Sequence, residues 1–129
     1  MKLIIDLETN GFLDKLDVIH CIVCKDIETE KVYSYNPDNL NDGLELLKKA
    51  TLLIGHNIQG FDLPALDKVF GFKYSGEILD TLLCSRLIWT NRQELDFKVK
   101  NLPPKLIARH SLESWGYRLG LRKGDYQEH

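Results

Sequence analysis

The sequence predicts an α/β domain built on a mixed sheet, and three observations carry that expectation. Apolar runs of strand length open the chain, leucines at helical spacing first appear only after three such runs, and strands and helices alternate from there on. The 129 residues are 43% apolar and 28% charged, with a formal net charge of −2. That length suits a single domain, 1–129, since domains cluster near ~100–150 residues, and it allows a core of its own. The abundance of Leu, Ile, Val, Phe and Trp at so small a net charge excludes a disordered chain.

The elements follow in order. Lys2 to Leu7 is a short continuous apolar run, as expected of a strand buried on both faces. Val18 to Lys25 and Lys31 to Tyr35 read as two more strands, joined by the polar turn Asp26-Ile27-Glu28-Thr29-Glu30 into an antiparallel hairpin. Pro37-Asp38-Asn39 breaks the pattern, and Leu40, Leu44 and Leu47 then define a helix with Lys48 and Lys49 at its end. Thr51 to Ile54 is a fourth strand closed by Gly55. Pro64 suits the first turn of a second helix, whose stripe is Leu63, Leu66 and Phe70 and whose stop is Gly71. Glu77 to Asp80 is a fifth strand, and Leu82, Leu83 and Leu87 continue as a helix. Residues 91–108, with Pro103-Pro104, have no period and read as a long loop of the kind that is usually functional or mobile. Ser111 is a good N-cap for a last helix through Leu119, which Gly120 stops. The order β-β-β-α-β-α-β-α is that of an RNase H-like sheet flanked by helices, and other mixed sheets share it.

Composition narrows the function. The longest apolar runs, such as Thr51-Leu52-Leu53-Ile54, fall far short of the ~20 residues that cross a bilayer, so no membrane association is expected. Asp6 follows Met1 too soon for a signal peptide. Three cysteines form no disulfide framework, and a reducing cytoplasm is the expected compartment. Cys21 and Cys24 make a CxxC inside a strand-like run, where positions three apart face opposite sides, so they read as core cysteines rather than a zinc site. Charge divides the chain: residues 1–85 hold 8 Lys/Arg against 14 Asp/Glu, while residues 86–124 hold 9 against 3. An acidic body followed by a basic stretch suits a polyanion held against carboxylates, and equally an uneven surface.

The carboxylates are the chemical signal. Asp6 and Glu8 lie two apart at the end of the first strand, so both side chains point into one space. Carboxylates that close repel unless a cation joins them, and oxygen-only clusters suit Mg²⁺ or Mn²⁺. Asn57-Ile58-Gln59-Gly60-Phe61-Asp62 follows another buried strand. If the two strands are parallel neighbours, Asp62 reaches the same sheet edge, where α/β sheets place their ligands. Asp62 taken alone reads first as an N-cap; the three acids together favour a two-metal phosphoryl-transfer site. Hydrolases that form an aspartyl-phosphate also begin with a strand ending in paired carboxylates, but Glu8 stands where they need Asp.

Asp6-Leu7-Glu8-Thr9-Asn10-Gly11 resembles the first motif of the DEDD 3′→5′ exonucleases, and Asn57 through Phe61-Asp62 resembles their second. Asp80-Thr81-Leu82-Leu83-Cys84-Ser85-Arg86-Leu87-Ile88 and His110-Ser111-Leu112-Glu113-Ser114-Trp115-Gly116-Tyr117-Arg118-Leu119-Gly120, with Lys123-Gly124 after it, resemble the N-terminal proofreading domain of family A DNA polymerases from short-tailed bacteriophages. The resemblance covers almost the whole chain. It implies that Asp6 bridges two Mg²⁺ or Mn²⁺ ions, that Glu8 binds the one activating water, and that Asp62 holds the other, directly or through water. It implies substrate contacts at Thr9, Asn10, Phe12 (against the last base) and Asn57. The reaction implied is hydrolysis of the 3′-terminal phosphodiester of a single-stranded or frayed DNA end, releasing 5′-mononucleotides in the host cytoplasm. Lys98, Lys100, Lys105 and Arg109, in the loop, are candidates for contacts to the DNA backbone. Asp80 reads as an N-cap in preference to a support for the metal ligands. His110 reads as structural, Trp115 with Leu112 and Leu119 as core, and Arg86 and Arg118 as partners of either acids or phosphate.

The third motif of that family, Tyr-x-x-x-Asp or His-x₄-Asp, does not occur in the 129 residues. The expectation is therefore a C-terminally incomplete domain with a weakened two-metal site, inactive or impaired in isolation. Its partner would be a polymerase portion or a second polypeptide supplying the motif. The alternative is a non-catalytic remnant that binds DNA or a partner through the same surface.

Overall fold

In a computed structural model, residues 1–121 are described, so Lys123, Gly124 and Tyr126 lie outside the described residues. Strands β1 (Lys2–Thr9), β2 (Ile19–Asp26), β3 (Val32–Tyr35), β4 (Leu52–Gly55) and β5 (Glu77–Asp80) form one sheet in the order β3-β2-β1-β4-β5. β1 pairs antiparallel with β2 and parallel with β4; β2–β3 is antiparallel and β4–β5 parallel. This is the expected α/β mixed sheet of RNase H-like type. The described residues fall into two compact units, the first Met1–Thr81 and the second from Leu82 on.

The first unit holds the sheet with helices α1 (Leu40–Lys49) and α2 (Leu63–Phe70). β1 alternates rather than being buried on both faces: Leu3, Ile5 and Leu7 are buried, while Lys2, Ile4, Asp6 and Glu8 are exposed. The reason is one-sided cover. Leu40, Leu44 and Leu47 of α1 and Ala65 and Leu66 of α2 join Leu3, Ile5, Leu7, Ile22, Cys24 and Leu53 in a single core cluster. The same alternation separates the CxxC: Cys24 is buried there, while Cys21 is half-buried on the opposite face. α2 turns Ala65, Leu66 and partly Val69 inward, so Phe70, placed on the inward stripe by spacing alone, is exposed. Gly71 then ends α2 in the left-handed region, φ +66°, its N–H donating to the Asp67 carbonyl at 2.7 Å while the Phe72 N–H donates to that of Leu66 at 3.4 Å.

The second unit contains α3 (Thr81–Ile88, bar its first residue), α4 (Gln93–Asp96), a 3₁₀ turn (Pro104–Leu106) and α5 (Leu112–Leu119). Residues 91–108 are thus not one unstructured loop. Their order rests on a buried carboxylate that periodicity cannot reveal. Asp96, 1% exposed, accepts from Arg118 Nε at 2.8 Å and Nη2 at 2.7 Å, and from the Ala108 N–H at 2.8 Å. Arg92 adds a 3.3 Å ion pair. Burial pushes the Asp96 carboxyl up, yet the Arg118 and Ala108 hydrogen bonds and the charges of Arg118 and Arg92 hold it below its ordinary value.

Trp115 packs on Trp89 with ring centroids 4.9 Å apart and receives the Arg118 guanidinium over its face at 4.6 Å. Its indole N–H donates to Ser85 Oγ at 2.7 Å, and the same hydroxyl lies 2.6 Å from His110 Nδ1. His110 and Arg118 therefore have structural partners, Ser85 and Asp96. Ser111 caps α5 as expected, Oγ accepting from the Ser114 N–H at 3.1 Å. Leu112 and Leu119, expected in the core with Trp115, are exposed, because α5 turns Ser114, Trp115 and Arg118 inward instead. No helix among the described residues is long and apolar enough to cross a membrane.

Candidate active site

The site lies at the carboxyl end of β1 and β4, which are parallel neighbours registered Lys2 on Leu52 through Ile4 on Ile54. β1 runs on to Asp6 and Glu8, on the face away from the core. The register slips between Glu8 and Thr9, a bulge of the sort that re-aims side chains beside binding sites. Glu8 stands opposite Cys21 across the β1–β2 ladder. Burial, then the charge of Glu8, then that of Asp6 push the Cys21 thiol up, although a backbone hydrogen bond from Glu8 opposes them. Both acids thus act on one patch of this face.

β4 ends at Gly55 and enters a π-helical turn, Ile58–Asp62, that runs straight into α2. A side chain at Gly55 would meet Ile58 Cβ at 2.9 Å, so the turn closes on the strand only over a glycine. Asn57 takes up the left-handed conformation, φ +63°, to start the turn, and its carbonyl accepts from the Phe61 N–H at 2.8 Å. Asp62 closes it. Its side chain makes no capping hydrogen bond to α2, so the N-cap reading fails. It is instead 6% exposed, and its pKa is pushed up to about 7 by burial, then by the Asp6 charge, with a further contribution from Asp80. The charge of Asp6 thus reaches Asp62, which closes the turn that follows the parallel neighbour of β1.

Asp80 ends β5 opposite Gly55 and is 6% exposed. Its Oδ1 accepts the Asn57 N–H at 2.9 Å and its Oδ2 the Gln59 N–H at 3.1 Å. The sequence suggests a cap for α3; the carboxylate reaches across to the turn that carries Asp62. The nearest signal in the sequence was an acid at a strand's carboxyl end, which says nothing of a partner 21–23 residues away.

Of the remaining expected contacts, Thr9 donates to the Gly11 carbonyl at 2.9 Å. The Asn10 amide is engaged with its own loop, donating to Asp17 Oδ1 at 2.6 Å and accepting from the Asp17 and Val18 N–H groups. Phe12 is 84% exposed in that loop, an aromatic ring offered to solvent at the end of β1. Lys98, Lys100, Lys105 and Arg109 all belong to the second unit and are exposed there.

By chemistry, the oxygen-only set of Asp6, Glu8 and Asp62 fits a hard divalent cation, whose charge would relieve the repulsion that raises Asp62. Among the described residues, however, no three His, Cys, Asp or Glu side chains already close around a metal position. Side-chain rotation at the exposed Asp6 and Glu8 would have to complete such a site.

Comparison with known proteins adds the relatives. No protein-family model matches the chain. It is 35% identical over 140 residues to a DNA-directed DNA polymerase of Enterobacteria phage T3, and 34% identical over 137 residues to that of Escherichia phage T7. The alignments cover 98% and 95% of this chain, which spans about 20% of the length of either polymerase. Among solved structures, the apo form of a nuclease superposes over 98% of this chain and 56% of its own, with a TM-score of 0.64 at 18% identity. Through nearly all of its length, then, the chain is a relative of one stretch of these phage DNA polymerases and carries a nuclease-like α/β fold.

Proposed function

We propose that the chain is the 3′→5′ proofreading exonuclease part of a phage DNA polymerase, acting on single-stranded or frayed 3′ ends through two divalent cations, Mg²⁺ or Mn²⁺. One observation carries the reading. Asp6, Glu8 and Asp62 come to the carboxyl end of two parallel neighbours, with Asp62 buried and its pKa raised to about 7 partly by Asp6. An ordinary fold has little use for such an arrangement, since it costs stability whenever Asp62 ionises.

Such ions, when bound, lower the pKa of water and offset the charge that builds on the attacked phosphate. The protein's own part is positional. Asp6, Glu8 and Asp62 are the residues that would hold the ions, and Asp62 gives up its proton as it does so, so binding should tighten as pH rises. The exposed Phe12 ring suits stacking on an unpaired terminal base, a contact worth ~1–3 kcal/mol for single-stranded nucleic acid. Lys98, Lys100, Lys105 and Arg109 suit the phosphate backbone, which makes binding salt-dependent.

The 129 residues contain no Tyr-x-x-x-Asp, so a fourth carboxylate has to come from a polymerase portion or a second polypeptide. The isolated chain is therefore proposed to bind cations weakly and to hydrolyse poorly. Titration of the metal-free protein with Mn²⁺ by calorimetry is expected to give two-site binding that Asp6→Ala removes. Absence of Mn²⁺ binding would instead indicate a non-catalytic remnant that uses this surface for DNA or a partner.

A further inference from the structure

We infer that Asp80 is a positioning residue for the candidate metal site: it fixes the π-helical turn 57–62 and so sets where Asp62 sits. This inference rests on the cation-binding reading above. Asp80 is buried at the end of β5, directly opposite the last residue of β4, from which the turn departs. Both of its carboxylate oxygens are committed, one to the Asn57 N–H at 2.9 Å and the other to the Gln59 N–H at 3.1 Å. Those two donors sit at the turn's opening, where the first N–H groups of any helix lack an internal partner. Asn57 is also the residue held at φ +63°, a conformation that costs a non-glycine side chain energy unless something else secures it. Asp80 secures it. At the other end of the same turn Asp62 has no capping bond of its own, so its position is inherited from the turn.

Asp26 provides an internal comparison. It too is buried and accepts two backbone N–H groups, those of Glu28 at 2.8 Å and Thr29 at 3.3 Å, but both go to one oxygen, Oδ1. It also stands opposite Leu3, at the far end of β1 from Glu8. Loss of Asp26 should loosen the β2–β3 turn and lower stability without reaching the carboxylates. Asparagine at position 80 keeps only one acceptor oxygen, and its amide group would face the second N–H donor.

The test compares wild type, Asp80→Asn and Asp26→Ala in the full 129-residue chain, with backbone amide exchange and Mn²⁺ titration as readouts. Both variants are expected to melt at lower temperature. Only Asp80→Asn should speed exchange at residues 57–62, by tenfold or more, and weaken Mn²⁺ binding by about 10–100-fold, the usual cost of losing support behind a metal ligand. Unchanged exchange at 57–62, or Mn²⁺ affinity within twofold of wild type, overturns the inference. If Asp80→Asn speeds exchange across the whole sheet, Asp80→Glu, which keeps both oxygens, decides. A defect confined to 57–62 supports the inference, and one spread through β1 and β4 overturns it. Wild type that binds no Mn²⁺ refutes the metal reading instead, and the exchange data then decide the role of Asp80 on their own.

Discussion

Asp96→Ala is expected to destabilise the second unit by about 3–5 kcal/mol, the usual cost of breaking a buried ion pair by removing one partner. The cost comes from what remains. Arg118, with its side chain 2% exposed, would keep a buried charge with its paired acceptor gone, and Arg92 would lose its ion pair. The Ala108 N–H would lose its acceptor as well. Because Arg118 also lies over Trp115, which packs on Trp89, the near-ultraviolet circular dichroism of the two tryptophans should weaken with it. The pH sign follows from the lowered Asp96 pKa. The stabilisation is present above the ordinary carboxylate value and is lost as pH falls through the lower folded value. A measured loss below about 1 kcal/mol would show that the pair contributes little, as exposed pairs do.

Asp62→Asn should act in the opposite direction, stabilising the metal-free protein at alkaline pH. The folded state holds the Asp62 proton up to about pH 7, whereas the unfolded carboxyl titrates near its ordinary 3.8. Stability from this group is therefore full below the unfolded value and is lost as pH rises through the folded one. With chelator present, urea unfolding should show the two proteins alike near pH 4. They should separate on the order of 2–4 kcal/mol in favour of Asp62→Asn by pH 8. Parallel stability profiles across that range would mean that Asp62 is not strained by burial and by Asp6. The same substitution is expected to abolish tight cation binding, so stability and proposed function pull against each other at this residue.

Much of the first unit was legible because its signals are local. Five apolar runs of strand length, two leucine-bearing stripes and the stops at Gly55 and Gly71 place β1 to β5, α1 and α2 within a residue or two. The carboxylate pair on β1 follows from period two alone. Its neighbour Asp62 needed one tertiary fact, the parallel pairing of β1 with β4, which the order of elements suggested.

What the sequence hid depends on contacts between distant residues. A π-helical turn has no pattern of its own, and this one is held by Asp80, whose partners lie 21 and 23 residues earlier. Leu112, Leu119 and Phe70 are exposed: apolar spacing marks a stripe without saying whether anything covers it. Residues 91–108 looked unstructured for the converse reason. Their organising residue is a buried aspartate paired with arginines, and charge in a sequence ordinarily reads as surface.

The proposal that these carboxylates form an exonuclease site needing one more acid from outside the 129 residues is tested most directly by product release from a labelled single-stranded DNA. The comparison is between the isolated chain and the same chain joined to, or mixed with, a polypeptide bearing Tyr-x-x-x-Asp, each with Mg²⁺. The expected result is release of 5′-mononucleotides from the 3′ end by the completed protein, at least ~100-fold faster than by the isolated chain and abolished by Asp6→Ala. Robust degradation by the isolated chain that Asp6→Ala abolishes, or an inert completed protein, would contradict it.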